Sequence, residues 1–588
     1  MTDTTRIAAM RAADRPARGR ILAAAPALAA GAALLLGAWA GARTPASQDA
    51  GQAGAFAVRI AVDAARVTGP LRPIWRFFGA DEPNYAYMKD GRKLLAELGG
   101  LAPGRVYFRA HSLLVSGDGT PALKWGSTGA YREDAHGNPI YDWTIVDRIF
   151  DTYLERGVRP YVQIGFMPEA LSIKPQPYKH SWTPLAKYEE IYTGWAYPPK
   201  DYGKWGELAY QWARHAVERY GRTEVEQWYW QTWNEANIGY WQGTPEQFRA
   251  LHDHAIAGVR RALPTARVGG PDTAGHGGQF MRDFLEHQLR GTNAATGRTG
   301  TPLDFVSFHA KGRPEFVDGH VRMGIANQLA TIAEGFRLIA SFPGLEGTPI
   351  VIGESDPDGC AACQGPQLGY RNTTMYSSYT AASFARKHDL ADRHGVNLEG
   401  ALTWAFEFED QPFFAGFRAL ASGGLPLPVL NVFRMFSRMA GSRVAADSDG
   451  AVALDAIVAG GVRQRPDVGA LASRDDGRLT VLVWHYHDDD VAGPPASVAM
   501  QLEGLGGDPR RASLQHYRID AAHSNAYTAW RRMGSPAAPT PAQYARLEEA
   551  SALALLDGAP SSVEVSGGAA SLRFTLPRQA VSLLVVEW

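Results

Sequence analysis

Eight short apolar or aromatic runs recur along the middle of this chain, each followed by a loop and a stretch of helical periodicity. They are Trp75–Gly79, Arg105–His111, Arg159–Phe166, Glu226–Asn234, Ala266–Pro271, Leu303–His309, Pro349–Gly353 and Gly400–Phe406. Runs this short and this apolar read as parallel strands buried on both faces. Between them, Trp205–Tyr220 sets Leu208, Trp212 and Ala216 on one face. Thr244-Pro245-Glu246-Gln247 carries an N-cap, a proline at the first helical position and a capping-box partner, so a helix opens there and stops at Pro264. Eight strands alternating with helices predict a (β/α)8 barrel over residues 75–440, a TIM barrel, rather than a doubly wound sheet. No Gly-x-Gly-x-x-Gly follows the first strand, which counts against a dinucleotide enzyme.

The flanks read differently. After Arg438 the helical pattern largely fades. Arg478–His485, Arg511–Ile519, Ser571–Leu576 and Val581–Val586 are short strands broken by Gly, Pro and Asp, so residues 441–588 are expected to form an accessory β-sandwich. Residues 43–55 have linker composition, and Phe56–Val67 alternates as a strand. Segment 43–74 is thus a linker plus a strand expected to join the sandwich. Residues 1–42 open with five arginines and no lysine, then turn apolar from Ile21 to Ala42 and end in two small-x-small patterns. They predict a signal peptide, or a retained anchor, and therefore an exported protein, periplasmic or secreted. A membrane partner is expected only through that segment, if uncleaved. Net charge is −1, so nothing points to nucleic acid. The two cysteines, Cys360 and Cys363, lack a second pair to complete a zinc site. They are either a short disulfide or two free thiols. No cofactor and no metal is expected.

Two glutamates carry the chemistry. Glu235 closes the fourth run and Glu354 the seventh, each directly after a small or polar residue, Asn234 and Gly353. In a barrel both emerge at the C-terminal rim, on strands that face each other across its mouth. Two opposed carboxyl groups suit glycoside hydrolysis, one protonating the leaving oxygen and one attacking the anomeric carbon. Asn234 can bond the sugar 2-hydroxyl. The 16 tryptophans and 23 tyrosines, many between Tyr178 and Trp241, fit either sugar-facing walls or a large barrel core.

Asn234-Glu235 and Gly353-Glu354 resemble clan A of the glycoside hydrolases. Arg109-Ala-His111, Ser307-Phe-His-Ala-Lys-Gly312, Pro349–Glu354 and Tyr517–Asn525 resemble glycoside hydrolase family 39, over nearly the whole chain from Phe56. That family holds β-xylosidases and α-L-iduronidases built from a barrel and a β-sandwich. The resemblance implies Glu235 as acid/base and Glu354 as nucleophile. It sets Arg109 and His309 beside the nucleophile, Arg109 favouring its ionised form. It places His111 at the sugar hydroxyls, Trp404 as the floor under the ring, and Glu407 and Glu409 as hydroxyl ligands. Lys311 departs from the aromatic that many xylosidases of the family carry there. It either favours an anionic substrate or points away. The function expected is a retaining exo-β-xylosidase acting on xylo-oligosaccharides. An α-L-arabinofuranosidase or arabinobiosidase, an iduronidase-like enzyme, and a non-catalytic sugar-binding protein are the alternatives.

Overall fold

The computed structural model describes residues 54–507 and 510–588. The expected export segment, residues 1–42, and most of the linker lie outside them. Eight parallel strands follow one another around a barrel: β1 (Phe77–Ala80), β2 (Val106–Ala110), β3 (Val158–Ile164), β4 (Tyr229–Thr232), β5 (Arg267–Thr273), β6 (Phe305–His309), β7 (Ile350–Glu354) and β8 (Leu398–Ala401). Closure comes just beyond β8. Thr403 bridges Phe78, and its amide donates to the Phe77 carbonyl at 2.9 Å. Most strands are shorter than the apolar runs that announced them, β5 being longer and β7 equal, and the eighth ends at Ala401 rather than Phe406.

Side-chain alternation stacks the barrel interior in layers. Phe77, Tyr107, Tyr161, Tyr229 and Phe305 form an aromatic plug, with ring centroids 4.9–5.2 Å apart for the pairs Tyr107–Tyr229, Tyr161–Tyr229 and Tyr229–Phe305. Gly400 makes room for it, since a Cβ there would strike the Phe77 ring. Two residues further along the strands come Arg109, Gln163, Gln231 and Ser307, all fully buried and polar. Two further again come His111 and His309, level with the mouth. The plug excludes water from below, so the polar layer above it acts in a low dielectric.

Helices Tyr202–Tyr220 and Pro245–Ala262 back β4. The second opens on the predicted capping box, Thr244 and Gln247 bonding each other's backbone. The two helices approach closely at Gly206 and Gly258, where a Cβ on Gly258 would meet the Gly206 carbonyl. Most of the tryptophans between 205 and 233 pack in this core.

The second sheet has ten strands. Phe56–Pro70 lies within it, antiparallel to Ser442–Ser448 and parallel to Ala496–Glu503. It folds over itself, so Val58, Ile60 and Val62 share one core with Val481, Val483, Leu584 and Val586. Helices also occur here. Thr540-Pro541-Ala542-Gln543 repeats the capping box of Thr244 and opens Pro541–Ser551. The Tyr517–Asn525 stretch proves to be a joint. Asn525 caps helix Ala526–Arg532, and the Ser524 carbonyl accepts from Asn431 on the barrel helix Pro428–Phe436, at 3.1 Å. No helix among the described residues is long and apolar enough to cross a membrane.

Candidate active site

Glu235 sits one turn past β4 on unusual backbone. Trp233 and Glu235 both take positive φ, 67° and 47°, a left-handed conformation that costs side-chain-bearing residues free energy and clusters at functional sites. Tertiary bonds hold it: the Trp233 amide donates to the Ile164 carbonyl at 3.0 Å, and the Glu235 amide to the Asp272 carbonyl at 2.9 Å. The strain turns the Glu235 carboxyl toward the mouth, where it keeps 16% exposure. Glu354, the last residue of β7, is more enclosed, at 7%. The glycine before it is required, because a Cβ on Gly353 would strike the Asp272 carboxylate.

His309 joins the two carboxylates. Its Nδ1 lies 2.8 Å from Glu235 Oε1 and 3.8 Å from Glu354 Oε1. The two oxygens are therefore no farther apart than those distances combined. That fits the roughly 5–5.5 Å of a retaining pair and reaches only the lower edge of the about 6.5–9.5 Å of an inverting one. On its other side, His309 Nε2 is 2.9 Å from Asp272 Oδ2, an ion pair rather than an aligned hydrogen bond. Burial opposes charge on His309, but Asp272 and Glu354 outweigh it and push the ring up to about 9. It is thus an imidazolium at neutral pH and donates to Glu235. Asp272, buried but facing Arg109 and His309, is held below its ordinary value.

Cations surround Glu354. Lys311 Nζ donates to its Oε2 at 2.6 Å and to Asp356 Oδ2 at 2.6 Å. Arg109 Nη1 stands 3.5 Å from Oε1, and the ring nitrogen of His111, which is not a cation, lies 3.8 Å away. Burial resists ionisation, yet Lys311, His309 and Arg109 together hold the carboxyl well below the usual carboxylate range. The ionising role expected of Arg109 is therefore shared, and Lys311 leads it. Lys311 points at the nucleophile, not away. Arg109, fully buried, donates to Gln163 Oε1 at 2.8 Å and to Asn234 Oδ1 at 2.7 Å, and pairs with Asp272. Fixing the Asn234 oxygen leaves its NH2 group as donor toward a substrate hydroxyl. His111 Nδ1 meets Gln163 Oε1 at 2.7 Å. Burial, with Arg109 nearby, lowers the His111 ring to about 4, so it is neutral and presents Nε2 as an acceptor.

Three expectations are corrected. Glu407 and Glu409 do not bind hydroxyls at the site. The strand ends at Ala401, so alternation does not carry their side chains to the mouth. Glu409 Oε1 accepts from the amides of Asp90 and Gly91 at 2.9 and 2.7 Å, at the start of helix Lys89–Leu101, where a carboxylate satisfies free N–H groups. Glu407 accepts from the Gly423 amide at 3.0 Å, and burial pushes its carboxyl up to about 8. Trp404 offers no open face to a sugar. It is 2% exposed, with Arg109 5.0 Å from one ring centroid and the His111 ring 4.3 Å away, so it supports those polar groups from behind.

Sequence reading passed over Asp81, Lys124, Asp272 and Asp356. Asp81 and Asp272 follow or end apolar strands just as Glu235 does, and Asp356 is two residues past Glu354, so the pattern held the signal. Asp81 and Lys124 line a narrow cavity of about 20 Å³, open to solvent, together with His111, Phe166, Trp195 and Tyr240. His111 is shared between that cavity and the nucleophile. Cys360 and Cys363 form a disulfide in the loop after β7. Arg371 donates to both cysteine carbonyls and pairs with Asp358. No group of His, Cys, Asp and Glu among the described residues could hold a metal ion.

The family model described as glycosyl hydrolases family 39 matches residues 58–567. A β-xylosidase of Geobacillus stearothermophilus is 25% identical over 453 residues, 74% of this chain and 77% of that protein. An α-L-iduronidase of Mus musculus is 26% identical over 525 residues, 83% of this chain and 75% of that protein. Among solved structures, a bacterial orthologue of human α-L-iduronidase superposes with a TM-score of 0.71 at 21% identity, covering 90% of this chain and 84% of that one. A monomeric β-xylosidase of Caulobacter crescentus gives 0.69 at 21% identity, covering 90% and 99%. At such identity these structures speak for the fold alone.

Proposed function

The chain belongs to the glycosyl hydrolases family 39, and from that premise we propose that it is a retaining, exo-acting β-xylosidase that releases xylose from xylo-oligosaccharides. The observation that carries the two-carboxylate mechanism is the meeting of Glu235 and Glu354 across His309. Glu354 attacks the anomeric carbon through Oε1, which holds no hydrogen bond, while Oε2 stays on Lys311. Glu235 gives its proton to the departing glycosidic oxygen. A water then enters, Glu235 takes its proton, and the hydroxyl displaces Glu354 from the sugar. Asn234 steadies the 2-hydroxyl. A neutral glycone is supported by charge: Lys311 is already committed to two carboxylates, Glu354 and Asp356. The Arg-rich and apolar residues 1–42 support export.

A second reading is favoured by the same lysine. Lys311 keeps 15% exposure beside the nucleophile, and a ligand carboxylate could compete for it, as a uronide would require. A panel of nitrophenyl β-D-xyloside, α-L-arabinofuranoside and α-L-iduronide decides. Turnover highest on the xyloside is expected, and higher turnover on the iduronide would replace the first reading with the second.

A further inference from the structure

The two glutamates expected to bind glycone hydroxyls are engaged elsewhere, which leaves the far side of the sugar site without its expected acceptors. We propose that Asp81 and Lys124, a buried ion pair on the cavity wall, form the clamp that selects the glycone by a pair of hydroxyls remote from the anomeric carbon. This rests on the glycosidase reading for what the ligand is, but it can be tested without turnover.

Asp81 directly follows β1. One carboxylate oxygen accepts from Trp404 Nε1 at 3.2 Å and lies 3.5 Å from His111 Nε2. The other accepts from Lys124 Nζ. Both side chains are about 5% exposed and both line the cavity. The loop after β2 is built to deliver Lys124. The residue takes a positive φ of 58°. Its amide donates to Glu82 Oε1 at 2.6 Å, and its carbonyl accepts from His180 Nε2 at 3.0 Å. Its Nζ stands 5.2 Å from the Tyr188 ring centroid. Strained backbone held by two further hydrogen bonds marks a position that the fold over-determines.

Stability alone does not explain the pair. A buried salt bridge contributes little net, because desolvating two charges offsets their attraction. Hydrogen-bonding capacity remains, however. A carboxylate offers about four acceptor sites, and Asp81 uses two. An ammonium has three donors, and Lys124 spends one on Asp81. An acceptor and a donor side by side match two neighbouring hydroxyls, one giving and one receiving a proton. Their charges cancel, so the clamp suits a neutral sugar. Phe166, Trp195 and Tyr240 supply apolar wall around it. The route from the clamp to the chemistry is short: Asp81 and Glu354 stand on either side of the His111 Nε2.

The test uses binding of xylose and of its 3-deoxy and 4-deoxy analogues to the wild-type protein, Asp81→Asn and Lys124→Met. Cavity tryptophan fluorescence reports occupancy, and far-UV circular dichroism checks folding. Asp81→Asn is expected to weaken xylose binding about tenfold or more, the loss typical of a charged hydrogen bond. It should weaken the analogue lacking the contacted hydroxyl less than about twofold, because that contact is already gone. Lys124→Met should give the same pattern. Equal losses for xylose and both analogues would show a merely structural role and overturn the clamp. So would unchanged xylose affinity in both variants, or a wild type that binds no xylose. A wild type that binds xylose through Asp81 yet cleaves no glycoside leaves the clamp standing and removes the glycosidase reading instead.

Discussion

The ends of β4 and β7 solve opposite problems with the same residue type. At the end of β7, Glu354 follows regular strand, is 7% exposed, and has one lysine bonded to it with an arginine and the charged His309 behind. At the end of β4, Glu235 stands on left-handed backbone, is 16% exposed, and has one ring nitrogen as its partner. The first corner fixes a charge. The second leaves a carboxyl with one oxygen held and the other available. A nucleophile has to be ionised before substrate arrives, whereas an acid/base has to gain and lose a proton in each cycle. Identical side chains thus acquire different tasks from the number of cations their strands bring to them.

The sharpest way to break that comparison is to remove the fixed charge. Glu354→Ala is expected to lower kcat on nitrophenyl xyloside by roughly 10⁴-fold or more, since no glycosyl-enzyme can form. Azide should then restore part of the rate with inverted product. Near-normal turnover without azide would take the nucleophile role away from Glu354.

Glu235→Ala should discriminate where Glu354→Ala does not. Substrates with a poor leaving group, such as xylobiose, lose the acid's contribution of about 10²–10⁴-fold. For a nitrophenyl leaving group the first step survives, and the glycosyl-enzyme accumulates to be seen by mass spectrometry. Equal losses on both substrates would make Glu235 structural and erase the contrast between the corners.

Lys311→Met sharpens the charge argument through pH. The Glu354 carboxyl is depressed, so activity that needs it ionised is lost only as pH falls through that low value. Lys311 is the first of the cations that outweigh burial there. Without it the carboxyl rises, and the acid limb of kcat/KM should move to higher pH. The loss should be greatest on the acid side of the profile and smaller near neutrality, where the carboxyl stays ionised with or without the lysine. An acid limb that stays in place would assign the depression to Arg109 and His309 alone.

The smallest effect is expected at the rim. The Cys360–Cys363 bridge closes so short a loop that its removal should change Tm by only a few degrees. Its carbonyls hold Arg371, which shares Asp358 with Arg418, and Arg418 stands 3.6 Å from Asp356 beside Lys311. The double Cys→Ser variant should therefore raise KM about two- to threefold at nearly unchanged kcat. Thiol titration of the denatured, unreduced protein checks the bridge itself, and two free thiols would dismiss the effect.

Local pattern was enough for the barrel and its two glutamates. Apolar runs of strand length alternating with capped helices can bury their faces in few ways, and a residue ending such a run must emerge at the rim. His309 was legible as a residue at the mouth, because it ends a strand, whereas Lys311 lies two residues past that end and its direction stayed open. What Lys311 touches was not legible. Its partner Glu354 lies on another strand, and only the closed barrel brings the two carboxylates within reach of one ammonium. Glu407 and Glu409 show the same limit from the other side. Their spacing promised a shared face, but the chain leaves the barrel just past the Thr403 bridge, and the free amides of a helix start and a turn capture them instead. Asp81 and Lys124 are 43 residues apart and meet only because two loops fold over one cavity. Sequence determined which groups stand at the mouth, since periodicity acts over a few residues. Tertiary structure decided which charge faces which, because pairing across a barrel depends on closure that no local run encodes.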